Sequence, residues 1–431
     1  MREKSLIGFY SFGALFLLAG FSLGNLVTRN QSGHLLFAFI TIFISYLFLL
    51  QKKEHWKLLL ALGIITRATL FFSLPVLSDD LYRFIWDGVL LKNGVHPFAE
   101  LPSYYLDYPV DGLSKDLYQR LNSPEYFTIY PPLNQALFWL SVQFDTNWLV
   151  SANIIRVFLL LSDIGSFFLL RKLLTGFQRD PNLALWYFLN PLVILEMTGN
   201  LHFEGLVVFF VLLGLLGYQQ KNHLASVSGF GLAIGTKLLP VIYLPFLFLA
   251  GLRNRVWWVP VVAGVVGILT LLPMLDETFI SGMSASLDLY FRKFEFNASI
   301  YFIAREIGYW IYGYNNIATI GPLLSMISTF GILVISLVAA LKGWSYAGTM
   351  LALLSTYLLF GTIIHPWYTI PLIAFGLLSR YWFPMLWSFM IFLTYMGYSA
   401  TGFELPLWIV VVEYATVFVF AMIEIKRHLS V

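Results

Sequence analysis

The sequence predicts an all-α polytopic membrane protein: a bundle of about 11–14 membrane helices with a large non-cytoplasmic first loop that contains interfacial helices. Three observations predict it. Of 431 residues, 59% are hydrophobic and only 11% charged, where soluble domains carry roughly 25%. The mean hydropathy is +0.77. The apolar residues gather in long runs instead of alternating with charge. A water-soluble globule, a disordered chain and a coiled coil are all excluded by this composition.

The elements follow in order. Met1 to Ser5 is short and basic, and the apolar run of residues 6–27 is too long for a cleaved signal peptide. It reads as a retained first helix with a cytoplasmic N-terminus. Further apolar runs lie near 34–50, 57–77, 148–170, 183–199, 204–219, 222–236, 238–251, 256–275, 317–341, 346–364, 367–379, 381–399 and 406–425. Those at 222–236, 238–251 and 367–379 are short enough to be tilted pairs, half-helices or parts of a broken helix.

Threading the runs in alternation puts 15 of the 26 basic residues on one side, in short loops and tails. Arg2, Lys4, Lys52, Lys53, Lys57, Arg171, Lys172 and Arg179 are among them. The positive-inside rule makes that side cytoplasmic, with both termini on it. Residues 1–431 then read as a single integral membrane domain with two outer segments, 78–132 and 276–316. The first holds eight of the chain's 23 acids: Asp79, Asp80, Asp87, Glu100, Asp107, Asp111, Asp116 and Glu125. No repeat of 20–50 residues and no low-complexity linker is visible.

Asp79-Asp80 opens the first outer segment, and Leu81 to Lys92 reads as an amphipathic helix at the interface. Asp80, Arg83 and Asp87 share one helix face there, so two carboxylates flank a guanidinium. The plain alternative is that the two acids only cap the helix while Arg83 pairs with Asp87. Asn93-Gly94 ends the helix, and Tyr130-Pro131-Pro132-Leu133 returns the chain to the membrane.

Other polar residues mark helix ends. His202 and Glu204, two apart in Asn200-Leu201-His202-Phe203-Glu204, suit hydrogen bonding to a polar ligand better than metal ligation. Lys237 sits between two short apolar halves, where a cation makes an anion site or simply snorkels to the interface. Arg292, Lys293 and Arg305 add outer-side cations, and His365-Pro366-Trp367-Tyr368 marks another outer helix end. There is no cysteine, hence no thiolate metal site, disulfide or thiol nucleophile. Neither a phosphate-binding loop nor a dinucleotide fingerprint occurs, and no nucleic-acid partner is indicated. An enzyme of this build takes an activated substrate from the bilayer or from the outer side.

The islands Asp79-Asp80-Leu81-Tyr82-Arg83, Trp86-Asp87-Gly88, Gly94-Val95-His96-Pro97-Phe98 and Tyr130-Pro131-Pro132-Leu133 resemble the first outer loop of C-type (GT-C) membrane glycosyltransferases. The nearest resemblance is to bacterial polyprenol-phosphate-mannose-dependent mannosyltransferases and to the first mannosyltransferase of GPI-anchor assembly. Lys237-Leu238-Leu239-Pro240 and Trp367-Tyr368 also look like later features of that group.

The resemblance implies a multi-spanning bacterial plasma-membrane enzyme whose site opens away from the cytoplasm. It implies a polyprenyl-phosphate-linked hexose donor, mannose above all, and a lipid or glycan acceptor. An acid at the start of the first outer loop would be the base, and the GPI relatives show Asp-x-Asp where this chain has Asp79 beside Asp80. Single displacement with inversion needs one base and no covalent nucleophile. Asp80 is favoured as that base, with Asp79 next. Arg83, Asp87, Tyr130, His202, Glu204, Lys237, Arg292, Lys293, Arg305 and His365 are the substrate-binding candidates. The leaving phosphate needs cations, and a divalent metal could serve beside Lys237, Arg292, Lys293 or Arg305. The rival reading is a secondary transporter or lipid flippase. It rests on the broken helices around 235–240 and on Arg156 and Asp163, seven residues apart inside one span.

Overall fold

The computed structural model describes residues 2–144, 147–399 and 402–429. Helices dominate them, with one two-stranded ribbon pairing Tyr398 with Phe403 and Ser399 with Gly402. Among the described residues, five helical stretches are long and apolar enough to cross a membrane: Ile7–Asn25, Ser32–Phe72, Trp148–Gly176, Ile317–Lys342 and Leu407–His428. Two sharply bent pairs, Pro191–Gly199 with Glu204–Gln220 and Trp258–Met274 with Glu277–Leu289, raise the number to seven if each is one span. The chain is an all-α multi-pass membrane protein.

The remaining apolar runs of the sequence become shorter helices such as Leu239–Arg253, Tyr346–Phe360, Pro366–Ser379 and Phe383–Gly397. Prolines near the starts of Leu239–Arg253, Pro366–Ser379 and Phe383–Gly397 explain three of these breaks, because proline fits the first helical turn and not the interior. The runs at 34–50 and 57–77 form Ser32–Leu49 and Trp56–Thr69, joined by a 3-10 turn that is non-helical at Lys52.

The chain divides into two compact units. The first comprises residues 1–78, 147–209 and 369–431; the second comprises 79–146 and 210–368. In the first unit, Arg67 Nε donates to Asp163 Oδ2 at 3.0 Å with both side chains fully buried. Gly63 lets its helix approach Phe188, since a Cβ there would come within 2.6 Å of that ring. Close approach through small residues is how helices pack where lipid removes the hydrophobic drive.

In the second unit, the helix Asp80–Lys92 packs against Pro132–Ser141. Every residue from Leu81 to Leu90 is buried. The helix therefore has no open polar face, in contrast to the surface-lying amphipathic helix that its pattern suggests. It can be enclosed because Arg83 and Asp87 neutralise each other and Trp86 packs beside Tyr105 and Tyr118. Gly88 is required at the crossing: a Cβ there would lie 2.4 Å from the Phe138 carbonyl oxygen.

Candidate active site

Asp79 holds the N-cap position of the Asp80–Lys92 helix, yet its side chain makes no capping bond. Asp80 occupies the first turn, and both acids are partly open to the surroundings. Asn122 Nδ2 donates to Asp80 Oδ1 at 2.7 Å, and the Tyr130 hydroxyl donates to Oδ2 at 3.0 Å. Tyr130 is itself held edge-on to Phe84 and Phe138, whose rings stack 4.4 Å apart. The first and last islands of the outer loop thus meet at one carboxylate.

One turn deeper, Arg83 Nε donates to Asp87 Oδ1 at 3.0 Å, and Gln135 Nε2 donates to Asp87 Oδ2 at 2.9 Å. A second guanidinium nitrogen of Arg83 donates to the Tyr126 carbonyl at 3.0 Å. Burial pushes the Asp87 carboxyl above the usual carboxylate range, against the opposing pull of Arg83, Thr128 and Gln135. Asp87 and Arg83 are thus enclosed within the loop, whereas Asp79 and Asp80 stay partly open.

The island Gly94-Val95-His96-Pro97-Phe98 meets the second outer segment. His96 Nε2 lies 3.3 Å from the Met274 carbonyl, and Phe98 packs with Met274, Phe279 and Met283. Ser286 donates to the Phe127 carbonyl at 3.0 Å.

A second cluster in the same unit gathers residues from three distant stretches. Lys237 is extended (φ −154°, ψ 135°) where the helix His223–Thr236 ends, and its Nζ stands 4.1 Å from the Tyr368 ring centre. His365 stacks on Trp367 at 4.4 Å and lies 4.4 Å from the Phe296 ring. Phe296 is fastened there by backbone bonds to Thr362 and Ile364. Lys237 and His365 thus converge on one aromatic wall, which their spacing of more than a hundred residues hides.

The other outer-side cations are engaged by acids. Arg305 donates to Glu295 at 2.6 Å and Glu306 at 2.9 Å, whereas exposed Arg292 and Lys293 share Asp288 at 3.2 and 3.9 Å. Among the described residues no three His, Asp or Glu side chains gather to hold a metal ion.

The first unit contains a polar centre built on Glu196, a residue not among the sequence candidates. Glu196, fully buried in the π-helical turn Ile194–Gly199, accepts from Tyr395 at 2.5 Å and from Asn200 at 3.1 Å. His202 Nδ1 lies 3.0 Å from Glu196 Oε2, the oxygen that also accepts from Asn200. Asn200 Oδ1 in turn accepts the Leu77 amide at 3.2 Å, two residues before Asp79. Arg156 donates to the Thr198 and Gly199 carbonyls and to Asn153. Glu204 is buried at the start of the following helix. Arg156 and Asp163, the intramembrane charges of the transporter reading, are thus engaged in holding this turn and in the pair with Arg67.

Residues 20–253 match the model of a family described as alpha-(1->6)-mannopyranosyltransferase, N-terminal domain. The chain belongs to this family. Two curated relatives are similar to it, both described as alpha-(1->6)-mannopyranosyltransferase A. The Corynebacterium glutamicum protein is 28% identical over 192 residues, which is 43% of this chain and 37% of that protein. The Mycobacterium tuberculosis protein is 28% identical over 211 residues, which is 47% of this chain and 39% of that protein. Each match spans less than two-fifths of the relative.

Within the mannopyranosyltransferase family match lie Asp79, Asp80, Arg83, Asp87, Tyr130, His202, Glu204 and Lys237, and Glu196 and Asn200 with them. Arg292, Lys293, Arg305 and His365 lie beyond it. Glu196 carries a signal available in the sequence, as the lone acid inside the apolar run 183–199.

Proposed function

We propose that this chain transfers a mannosyl group from a polyprenyl-phosphate-linked donor to a lipid or glycan acceptor on the non-cytoplasmic side of a bacterial plasma membrane. Both termini are cytoplasmic in this reading, and segments 78–132 and 276–316 carry the catalytic face. Its single strongest support is the Asp80 carboxylate: partly open, at the first turn of a braced helix, with both oxygens oriented by Asn122 and Tyr130.

Asp80 takes the proton from the acceptor hydroxyl as its oxygen attacks the anomeric carbon. The bond from that carbon to phosphate oxygen breaks, and the electron pair leaves with the lipid phosphate. Lys237 is the cation proposed to meet that phosphate, with His365 and Trp367 forming the wall beside it. Single displacement inverts the anomeric centre, so an α-linked product requires a β-linked donor. Asp79 is the second candidate for the base.

The test replaces Asp79 and Asp80 separately with Asn and follows mannosyl transfer from polyprenyl-phosphate mannose in membranes. Loss of the base lowers the rate by about 10²–10⁴-fold in one variant. Full activity in both variants overturns the assignment of the base. A wild-type chain inert with this donor overturns the donor.

A further inference from the structure

The helix Ile300–Tyr312, in the second outer segment, has two unlike sides. Tyr301, Phe302 and Gly308 are buried on one. The opposite side carries Ile303 (65% exposed), Ile307 (48%), Trp310 (86%) and Ile311 (66%), which fall within about 100° of arc at 100° per residue. Large apolar side chains left this open mark a surface that something apolar covers.

The helix cannot roll to hide them. Glu295 accepts from Tyr301 at 2.5 Å near its start, from Arg305 at 2.6 Å midway, and from Asn315 at 3.0 Å just past its end. Arg305 also lies over the Phe302 ring. These contacts keep the charged and packed side inward.

What covers the open side follows from the next element. Gly313 turns the chain in a left-handed conformation (φ 76°), and the span Ile317–Lys342 begins four residues later. That span has 26 residues, about 39 Å of helix against about 30 Å of hydrocarbon. A span longer than the hydrocarbon brings its ends close to the headgroup layer, and Ile300–Tyr312 adjoins one such end through four residues. Down its length the span exposes Leu323, Met326, Phe330, Leu337 and Leu341, the side chains that face lipid. The Ile303–Ile311 face belongs to the helix that immediately precedes this exposed surface in the chain.

The geometry points to the Ile303, Ile307, Trp310 and Ile311 face as a docking surface for the lipid leaflet, seated at the headgroup–acyl boundary where Ile317–Lys342 enters the membrane. Trp310 sits in the belt where tryptophan is enriched, and the apolar face of such a helix sinks roughly 5–10 Å. This surface is independent of the transfer reaction and stands whether or not Asp80 is the base.

The absence of native cysteine makes the test direct. Single variants Ile303→Cys, Ile307→Cys, Trp310→Cys and Ile311→Cys carry a nitroxide label on the full chain in phosphatidylcholine–phosphatidylglycerol vesicles. Collision rates with oxygen, which favours lipid, and with a water-soluble nickel chelate are then compared. Phe330→Cys, in the span, sets the lipid value, and Glu277→Cys, exposed at the start of its helix, sets the aqueous one. The proposal expects the four positions to give oxygen-to-nickel ratios well above that of Glu277→Cys and below that of mid-span Phe330→Cys, as a boundary depth requires. Ratios equal to that of Glu277→Cys overturn it. Spin–spin broadening between labelled copies also overturns it, in favour of a contact between two copies of this chain.

Discussion

The Tyr130 hydroxyl donates to Asp80 Oδ2 at 3.0 Å, tying the end of the first outer loop to the carboxylate at its beginning. Fifty residues separate the two, and the phenol is fixed by Phe84 and Phe138, so the bond helps to orient Asp80. Tyr130→Phe keeps those ring contacts and removes only the donor. A bond to a charged group is worth about 1.5–3 kcal/mol when buried, and discounting for the partly open Asp80 leaves about 1 kcal/mol. The expected result is about a fivefold fall in kcat with KM for the donor little changed, read from initial transfer rates. An unchanged kcat removes Tyr130 from the positioning of Asp80.

Asp87 gives a pH-dependent prediction. Its folded pKa is raised by burial, so its contribution to stability is complete below the unfolded carboxylate value and is lost as pH rises through the folded one. Arg83→Met removes the main attraction that limits this rise. The variant loses about 3–5 kcal/mol near neutral pH, the usual result of leaving one buried charge alone. Its melting temperature in detergent then climbs more steeply than the wild type's as pH is lowered from 8 to 5. Equal slopes in the two proteins contradict this role. Asp87→Asn leaves the Arg83 charge alone instead and removes the titrating carboxyl, so its melting temperature loses this part of the pH dependence.

Gly88→Ala tests the helix crossing. The added Cβ meets the Phe138 carbonyl oxygen at 2.4 Å, and backbone cannot swing aside as a side chain can. Separating the two helices costs about 1–3 kcal/mol. Since Tyr130 and Gln135 lie just before and within the displaced helix, transfer falls together with thermal stability. Gly94→Ala is the control: it meets no atom within 4 Å but strains a residue at φ 72°, costing about 1 kcal/mol. A Gly88→Ala protein as stable as the Gly94→Ala protein contradicts the crossing.

Much of this arrangement was legible in the sequence, for identifiable reasons. Arg83 and Asp87 are four apart, a spacing that becomes contact as soon as a helix forms. The Lys237 break follows from Pro240 and from the short runs on each side. The composition alone gives the membrane class. Pairings between distant segments were not legible: Glu196 meets Tyr395 across 199 residues, and the sequence offers no period that joins them. The burial of the Asp80–Lys92 helix was hidden for the same reason, because the residues that cover Trp86 come from later loops. The span count was blurred because prolines divide apolar stretches that hydropathy alone reads as whole.

The last prediction concerns Lys237 and Tyr368. The ammonium stands 4.1 Å from the ring centre, so the ring face positions the cation that we propose meets the donor phosphate. Tyr368→Phe keeps the ring and leaves donor KM nearly unchanged. Tyr368→Leu removes the π face, worth about 0.5–2 kcal/mol, and frees the side chain to spread over many rotamers. Its donor KM rises about three- to tenfold, and Lys237→Met raises it further because the charge itself is gone. The order wild type, Tyr368→Phe, Tyr368→Leu, Lys237→Met in increasing donor KM is the signature of a cation positioned by an aromatic face. If Tyr368→Phe is impaired as much as Tyr368→Leu, the hydroxyl is the working group and the cation–π contact is incidental.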